Sequence, residues 1–327
     1  MKKNGYKYAP LSPLRYPGAK RWMSGYILRA ITQNKLFPDL FIEPFAGGAS
    51  VSLALLHFNL VERIALIDRD PLLAAFWHTV FFDTDWLIDQ VEKTEVSVKK
   101  WEQLKKQEHK TIRQKAFACL FLNRTSFSGI LAPNAGPIGG KSQRSKYKID
   151  CRFNKFTIIK RILRVAQYRD RVEFVWNLHW RTALYKANKM QKRGKLPNKL
   201  LYYLDPPFYN KSAALYSYHF DHDDHLILRD FLFSLEHPWI LSYDSHPEII
   251  SMYKDGGLKV CDVNLIYTTC HKGQRGIGKE VIFSNLPHMI SEIKLGADKH
   301  AGNPKIMGSN FELDDSSFRE KAVVSGL

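Results

Sequence analysis

Short apolar runs that end abruptly at an acidic residue recur along the chain. Three of them occupy residues 39–43, 63–67 and 200–204, and the acids at their ends are Glu43, Asp68 and Asp205. Runs of this length without polar alternation are typical of strands buried on both faces of a sheet. Apolar segments of helical length follow the first two runs, at residues 49–58 and from Pro71 onward. Because strands and helices alternate in this order, the pattern predicts an α/β fold with a largely parallel sheet.

Four later apolar runs predict the rest of the sheet. They lie at residues 172–176, 239–243, 259–267 and 280–283. A loop rich in Gly, Lys and Arg joins the last two runs, which predicts a closing hairpin. Residues 186–199 are expected to form a basic connection that leads into the run at 200–204. After Asn285 the chain turns polar and loses its periodicity, which is typical of a partly mobile tail.

The alternation of strands and helices lapses between residues 77 and 165, which predicts a domain inserted into the sheet domain. The sheet domain then comprises residues 11–76 and 166–287, and residues 288–327 form a polar tail. The net charge of the chain is +17, and residues 99–171 hold 19 Lys and Arg against four acidic residues. A basic face can simply be solvated, but this concentration favours a polyanionic partner, with nucleic acid as the first candidate.

The composition predicts neither a secreted protein nor a membrane-spanning protein. The chain has no apolar run of 18 residues, and residues 1–8 are basic and polar. We therefore expect a cytoplasmic protein without a membrane-spanning segment. At 327 residues and 45% hydrophobic content, it is long enough for one large core and a smaller domain. The cysteines lack paired spacing and are expected to be reduced and buried: Cys119, Cys151, Cys261 and Cys270.

The residues that follow the 200–204 run are Asp205, Pro206, Pro207 and Phe208. Neither proline can donate to a sheet ladder, so the strand must end at Asp205 and the corner is stiff. A carboxylate, a backbone carbonyl and an aromatic ring are thereby held at the carboxyl edge of the sheet, where open α/β sheets bind ligands. The Asp205 carboxylate and the Pro206 carbonyl can accept both hydrogens of a nucleobase amine, and Phe208 offers a face for stacking. An ordinary Pro-Pro turn at a strand end is the alternative.

A second ligand-binding feature is the glycine turn after the first strand, Pro44-Phe45-Ala46-Gly47-Gly48. Small residues at such a turn let a ligand approach the backbone closely. Asp68 lies 20 residues after Gly48, at the end of the next strand, where an acid usually holds a ribose diol. The glycines do not follow a dinucleotide-binding fingerprint, and Glu43 before the turn favours a positively charged ligand over a pyrophosphate.

Four motifs in this order resemble those of the Dam-type (D12 class) DNA adenine-N6 methyltransferases: Arg15-Tyr16-Pro17-Gly18-Ala19-Lys20, Glu43-Pro44-Phe45-Ala46-Gly47-Gly48, Asp68 and Asp205-Pro206-Pro207-Phe208. The likeness covers about residues 11–285 and implies a Rossmann-like methyltransferase sheet with an inserted, mostly helical target-recognition domain. It implies that S-adenosyl-L-methionine is bound by Tyr16, Pro17, Gly18, Lys20, Glu43, Pro44, Phe45, Gly47, Gly48, Asp68, Trp180 and Asp205. The implied substrate is an adenine flipped out of double-stranded DNA, with Asp205, Pro206, Pro207 and Phe208 as catalytic residues.

The motifs depart from the family pattern at two positions. His179 stands where the family often has an acid near the cofactor adenine, so at this position the resemblance implies a contact from Trp180 alone. Phe208 replaces the usual tyrosine, a change that stacking tolerates. Asp205 favours adenine as the substrate, because related cytosine-N4 enzymes usually carry serine at that position.

Residues 123–129, Asn-Arg-Thr-Ser-Phe-Ser-Gly, resemble the recognition hairpin of the family. Phe127 is expected to wedge into the gap left by the flipped base, and Arg124 to read a guanine or a phosphate. The basic loop at residues 136–148 is expected to contact phosphates. The DNA-binding residues predicted in this way are Arg124, Thr125, Ser126, Phe127, Ser128, Lys141, Arg144, Lys146 and Lys148. Residues 130–132 lack the arginine of GATC-reading members, so GATC specificity is not predicted.

A run of histidines and acids suggests a different kind of site. The histidines are His219, His222 and His225, and the acids among them are Asp221, Asp223 and Asp224. Acids that open a helix are usually caps that satisfy backbone N–H groups and the helix dipole. Methyl transfer needs no metal, so we predict a helix cap here and no metal site.

Two alternative functions remain. An RNA methyltransferase that acts on an exocyclic amine also uses Asp-Pro-Pro-Phe, but the motif at residues 15–20 and the basic insert favour DNA. A catalytically silent DNA-binding relative would not need the intact Asp205, Asp68 and glycine turn. We expect a monomer because the chain shows no coiled-coil pattern. The sequence names neither a recognition site nor a cognate restriction endonuclease.

Overall fold

The structure is a computed structural model that describes residues 11–15, 21–209, 220–254, 256–267, 276–289, 292–297 and 304–307. Its helices are α1 (Arg21–Gln33), α2 (Ser50–His57), α3 (Pro71–Phe82), α4 (Thr84–Lys93), α5 (Val98–Lys106), α6 (Ile112–Thr125), α7 (Lys155–Ala166), α8 (Trp180–Lys192), α9 (His222–Phe233) and α10 (Pro247–Tyr253). Its strands are β1 (Leu40–Glu43), β2 (Arg63–Asp68), β3 (Val172–Asn177), β4 (Leu200–Leu204), β5 (Trp239–Asp244), β6 (Lys259–Tyr267), β7 (Gly276–Ser284), β8 (Glu292–Ala297) and β9 (Pro304–Met307).

The described strands form one sheet in the order β3-β2-β1-β4-β5-β7-β6-β8-β9. Strands β3, β2, β1, β4 and β5 are parallel to one another, and β7 lies antiparallel between β5 and β6. The first seven strands of this order therefore make a mostly parallel sheet flanked by helices. This confirms the predicted α/β fold class and the predicted closing hairpin.

The central strand β4 shows why the continuous apolar runs predicted buried strands. All five of its residues are buried, with β1 on one side and β5 on the other. Side chains alternate between the two faces of a strand. Leu201 and Tyr203 join the core that contains α1 and α3, whereas Tyr202 and Leu204 join the core that contains α8 and α9. The sheet is therefore covered on both faces.

The insert, residues 77–165, is mostly helical as predicted. Helix α6 packs along α3, and α7 packs against α4. Phe121 of α6 and Ile162 of α7 belong to the same buried cluster as Trp77 of α3. The division of the chain into separate sheet, insert and tail domains stays a prediction, because the insert and one face of the sheet share a continuous apolar core.

Two segments contain regular structure that the polarity pattern did not indicate. In the basic connection at residues 186–199, α8 extends to Lys192 and buries Ala187 against the sheet. The polar tail contains strand β8, which pairs with β6, and strand β9, which pairs with β8. In both segments sheet neighbours that are distant in sequence supply the stabilising contacts, and a local polarity pattern does not report such contacts.

The cysteine and membrane predictions can be compared with the described residues. Cys119 and Cys261 are buried, as expected, but Cys151 is exposed, so that part of the prediction is wrong. Cys270 lies outside the described residues. No helix among the described residues is long and apolar enough to cross a membrane.

Candidate active site

Three acids lie at the carboxyl ends of three adjacent parallel strands. Glu43 ends β1, Asp68 ends β2, and Asp205 follows β4, while β1 pairs with both β2 and β4. Because parallel strands end at the same edge of a sheet, the three carboxyl groups share one site. We call them the acid cluster. The negative charges of Asp205 and Asp68 both act to raise the pKa of Glu43, which reflects this proximity.

Glu43 is the most deeply buried member of the acid cluster, with 4% of its surface exposed. The buried hydroxyl of Ser52, on α2, donates a hydrogen bond to its Oε2. Burial raises the pKa of Glu43 to about 8, although the hydrogen bond from Ser52 acts in the opposite direction. A group that resists ionisation in this way is poised to respond to a nearby positive charge.

The glycine turn, residues 44–48, is locked onto the end of β2. Gly47 adopts a positive φ of 45°, and its N–H donates to Asp68 Oδ2 over 2.9 Å. The N–H of Asp70 donates to the other oxygen, Asp68 Oδ1, over 2.9 Å. Trp77 Nε1 donates to the Gly47 carbonyl over 2.8 Å. Burial nevertheless raises the pKa of Asp68 to about 7, with a further contribution from Asp70.

The other residues of the turn line the same edge of the sheet. Pro44 and Gly48 are buried, and Phe45 is half-buried, with its ring in an edge-to-face arrangement with Phe220 at 5.8 Å between the ring centroids. Sequence reasoning missed Asn177, the last residue of β3, whose side-chain amide donates to the Asp68 carbonyl over 3.0 Å. The signal in the sequence was an asparagine at the end of a predicted strand.

Asp205 is half-buried and is held by a serine of the neighbouring strand β5. Ser242 Oγ donates to Asp205 Oδ1 over 2.9 Å. Pro206 is buried, whereas Pro207 and Phe208 are half-buried after the end of β4. The prolines terminate the strand as predicted, and the four residues lie together beside the acid cluster.

Tyr209, which sequence reasoning did not select, anchors the end of this motif. Its N–H donates to Asp244 Oδ1 over 3.0 Å, and its hydroxyl lies 3.0 Å from His222 Nδ1. Its ring stacks on His246, with 4.5 Å between the ring centroids, and lies near the ring of His225. An aromatic residue directly after Phe208 was the only local signal, because the partners come from β5, α9 and the residue that precedes α10.

The structure places Trp180 in the core. Its side chain is 2% exposed and lies 6.0 Å from Phe220 and 6.3 Å from Phe231, measured between ring centroids. In this arrangement it leaves no open face for a ligand, so its predicted contact with a cofactor receives no support. His179 caps α8, since its Nδ1 accepts from the Arg181 N–H over 3.3 Å. The remaining predicted contacts lie outside the described residues: Tyr16, Pro17, Gly18 and Lys20.

The structure does not support the roles predicted for Arg124, Thr125 and Ser126 as exposed DNA contacts. Arg124 is 7% exposed, while Thr125 and Ser126 are completely buried at the end of α6. Burial lowers the pKa of Arg124 to about 9, and the positive charges of Arg161, Arg15 and Arg152 act in the same direction. Helix packing draws these three residues inward, which their polar character did not reveal.

Phe127 and Ser128 are exposed as predicted, with 65% of Phe127 accessible. They lie at the start of a loop, residues 126–137, that is closed by an antiparallel bridge between Ser126 and Pro137. We call it the recognition loop. It forms a single bridge in place of the regular hairpin that the resemblance implied.

The buried amide of Asn123 fixes the recognition loop to the segment that precedes residues 16–20. Its Oδ1 accepts from the Arg15 N–H over 2.7 Å, and its Nδ2 donates to the carbonyls of Arg15 and Gly129 over 3.1 and 2.8 Å. Gly129 has a φ of 76°, and a Cβ there would lie 2.0 Å from the Arg15 carbonyl oxygen. Glycine is therefore required where the two segments meet.

The four basic residues of the following loop are exposed: Lys141, Arg144, Lys146 and Lys148. Lys141 forms a solvent-exposed ion pair with Glu102 over 3.5 Å, and Lys148 donates to the Gln143 carbonyl. Exposed ion pairs of this kind contribute little stability, so these charges can be redirected toward an external anion.

The acids beside the histidines cap a helix, as predicted. Asp221 and Asp224 form a reciprocal capping box at the start of α9. The side chain of His225 is buried and its Nδ1 lies 2.7 Å from the Tyr243 hydroxyl. No group of three His, Cys, Asp or Glu side chains in the described part of the chain is arranged to hold a metal ion, and His219 lies outside that part.

Comparison with known proteins agrees with this arrangement. The family described as D12 class N6 adenine-specific DNA methyltransferase matches the chain over residues 16–269. This range includes the acid cluster, the glycine turn, the insert and residues 205–208. No curated protein sequence matches the chain.

Proposed function

The chain belongs to the D12 class N6 adenine-specific DNA methyltransferase family, and on that premise we propose that it transfers a methyl group from S-adenosyl-L-methionine to the N6 amine of an adenine flipped out of duplex DNA at one short sequence. The family supports DNA adenine methylation as the general activity. The observation that carries the finer proposal is the acid cluster beside Asp205-Pro206-Pro207-Phe208, because it combines a site for a cationic ligand with acceptors for an amine.

The residues present fit S-adenosyl-L-methionine. Three carboxyl groups at one sheet edge suit a ligand with two positively charged centres, a sulfonium and an ammonium group. The positive φ of Gly47 favours glycine at this position. Because glycine has no Cβ, a ligand can lie against the backbone there. Each Asp68 oxygen accepts one backbone N–H and has a second lone pair with which to hold a ribose hydroxyl. Tyr16, Pro17, Gly18 and Lys20 complete the proposed cofactor site.

Asp205 and Pro206 act on the target amine. The Asp205 carboxylate and the Pro206 carbonyl each accept a hydrogen bond from one N6 hydrogen, which directs the nitrogen lone pair toward the methyl donor, and the nitrogen releases one of these hydrogens as a proton once it carries the methyl group. When bound, S-adenosyl-L-methionine supplies the electrophilic methyl group. Phe208 stacks on the flipped base, and Pro207 keeps the corner rigid. In this proposal catalysis comes from positioning and electrostatics, without a covalent enzyme intermediate.

In this proposal DNA is contacted by those predicted DNA-binding residues whose side chains are exposed. Phe127 fills the gap left by the flipped base, and Ser128 borders it. The four basic residues of the loop at 141–148 contact phosphates. In this proposal Arg124, Thr125 and Ser126 act indirectly, because they are buried where α6 ends and the recognition loop begins, and they shape that loop.

Mapping of modified bases tests the proposal. DNA from cells that express the wild type, Asp205→Ala or Asp262→Ala is sequenced by a long-read method that detects N6-methyladenine. Asp262 is a matched control, because it is an exposed acid on β6 of the same sheet. We expect N6-methyladenine at one short motif in the wild type and in Asp262→Ala, and none in Asp205→Ala. Purified Asp205→Ala should still bind duplex DNA.

Two results would contradict the proposal. Full methylation by Asp205→Ala would show that the mechanism is wrong. If no sample contained modified adenine and the purified protein methylated structured RNA, the RNA alternative would replace the DNA enzyme. A protein that binds DNA but neither binds S-adenosyl-L-methionine nor methylates any nucleic acid would be the silent relative.

A further inference from the structure

A chain of hydrogen bonds runs from the buried core of the sheet to Asp205. The Tyr203 hydroxyl on β4 lies 3.0 Å from Ser242 Oγ on β5, and Ser242 Oγ donates to Asp205 Oδ1 over 2.9 Å. Tyr203 pairs with Ile240 and Leu204 with Leu241, so continuing this register places Ser242 opposite Asp205. Ser242 is completely buried and Tyr203 almost completely. The pairing of two parallel strands therefore creates the contact.

The direction of each hydrogen bond follows from the chemistry of the groups. An ionised carboxylate can only accept, so the single hydroxyl hydrogen of Ser242 is directed to Asp205. The Tyr203 hydroxyl must then donate to the oxygen of Ser242. Burial raises the pKa of Tyr203 well above its ordinary value, so its hydroxyl keeps this hydrogen at neutral pH.

We propose that Ser242, oriented by Tyr203, is a positioning residue that fixes the plane of the Asp205 carboxylate for methyl transfer. The inference rests on the function proposed above, in which Asp205 accepts a hydrogen bond from the target amine. The terminal torsion of an aspartate is broad and is set by its partners. A small error in the direction of the Asp205 carboxylate would misalign the target amine and slow methyl transfer. The hydrogen bond from Ser242 therefore acts mainly on the chemical step.

The test compares kcat and KM for an unmethylated duplex oligonucleotide that contains the sequence motif identified by mapping of modified bases. The variants are Ser242→Ala, Ser242→Thr, Tyr203→Phe and the double variant Ser242→Ala/Tyr203→Phe. Ser284→Ala is the matched control: Ser284 on β7 is also completely buried, and its hydroxyl donates to the Trp239 carbonyl, away from the acid cluster. Thermal unfolding is measured for every variant.

We expect Ser242→Ala to lower kcat about 10- to 100-fold, the effect of losing a hydrogen bond to a charged group, with KM for DNA nearly unchanged. Ser242→Thr keeps the hydroxyl and should recover most of the rate. Tyr203→Phe keeps the ring that stacks on Phe41 and should lower kcat about three- to tenfold. Because Tyr203 acts through Ser242, the double variant should be no slower than Ser242→Ala. Ser284→Ala should retain the wild-type kcat.

The inference is overturned if Ser242→Ala and Ser284→Ala have the same kcat, or if the effects of Ser242→Ala and Tyr203→Phe multiply in the double variant. If Ser242→Ala fails to fold, the other two single variants decide the question. Tyr203→Phe preserves the packing of the ring, and Ser242→Thr preserves the hydroxyl. An active wild type with an unaffected Ser242→Ala refutes this inference alone. A wild type that methylates no DNA refutes the proposed function and this inference with it.

Discussion

Replacing Glu43 by glutamine should change how the stability of the protein depends on pH. Glutamate titrates near 4.5 when it is exposed, as in the unfolded chain, whereas burial raises the pKa of Glu43 in the folded protein to about 8. Between these two pH values the folded state holds a proton that the unfolded state releases. The contribution of Glu43 to stability is therefore fully present below about pH 4.5 and is lost as the pH rises through 8.

The size of the effect follows from the difference between the two pKa values. Each pH unit within this window lowers the free energy of unfolding by about 1.4 kcal/mol, and the whole window corresponds to about 5 kcal/mol. Glu43→Gln cannot ionise, and its amide oxygen can still accept from Ser52. The variant should therefore gain about 1.4 kcal/mol on the wild type for each unit of rising pH. Burial raises the pKa of Asp68 to about 7, but Asp68 is present in both proteins, so its effect largely cancels in the comparison.

Urea denaturation at pH 5, 6, 7 and 8 measures this difference directly, since the denaturation midpoint and slope give the free energy of unfolding at each pH. Glu95→Gln is the matched control, because Glu95 is an exposed acid between α4 and α5 and should show no such trend. The reasoning is refuted if the advantage of Glu43→Gln over the wild type is constant with pH. A trend of equal size in Glu95→Gln would also refute it.

Three further predictions follow from the site and the recognition loop. The affinity for S-adenosyl-L-methionine should rise between pH 6 and 8, by up to about tenfold per pH unit, because a cation favours the ionised acid cluster; calorimetry in buffers of different ionisation enthalpy should detect the released proton. Gly129→Ala should lower the melting temperature and the kcat/KM for DNA, because its Cβ would lie 2.0 Å from the Arg15 carbonyl oxygen, whereas a Cβ at Gly136 meets nothing within 4 Å and Gly136→Ala should leave the melting temperature unchanged. Phe127→Ala should reduce flipping of a 2-aminopurine at the target position, measured by fluorescence, without a loss of stability. Phe156→Ala removes another exposed ring, on α7, and should leave the fluorescence change intact.

The parts of the site that could be predicted are those for which local sequence determines position. An apolar run that ends in an acid, as at Asp68, fixes the acid at a strand end, and parallel strands bring their ends together. Two prolines force the strand to stop at Asp205, so its place at the sheet edge also follows from the chain itself. Family resemblance then supplied the chemical meaning of these positions, and the match over residues 16–269 confirmed the family.

The parts that could not be predicted depend on contacts between distant segments. Ser242 reaches Asp205 only because β4 and β5 pair in one register. Arg124 follows an apolar stretch of α6, and its burial depends on the packing of that helix against the rest of the insert. Asn123 was noticed as part of a motif, yet its role in joining Arg15 to Gly129 requires the folded loop. In each case the local pattern shows the residue type but not its neighbours.

The acid cluster connects the stability of the protein to its proposed cofactor. Burial beside Asp68 and Asp205 disfavours the ionised form of Glu43, so at neutral pH the folded protein without a ligand carries a proton on that carboxyl group. A cationic ligand reverses this preference, and ligand binding stabilises the folded state by mass action. At pH 8 the increase in melting temperature caused by S-adenosyl-L-methionine should therefore be smaller in Glu43→Gln than in the wild type. An equal increase in both proteins would show that Glu43 does not interact with the positive charge of the ligand.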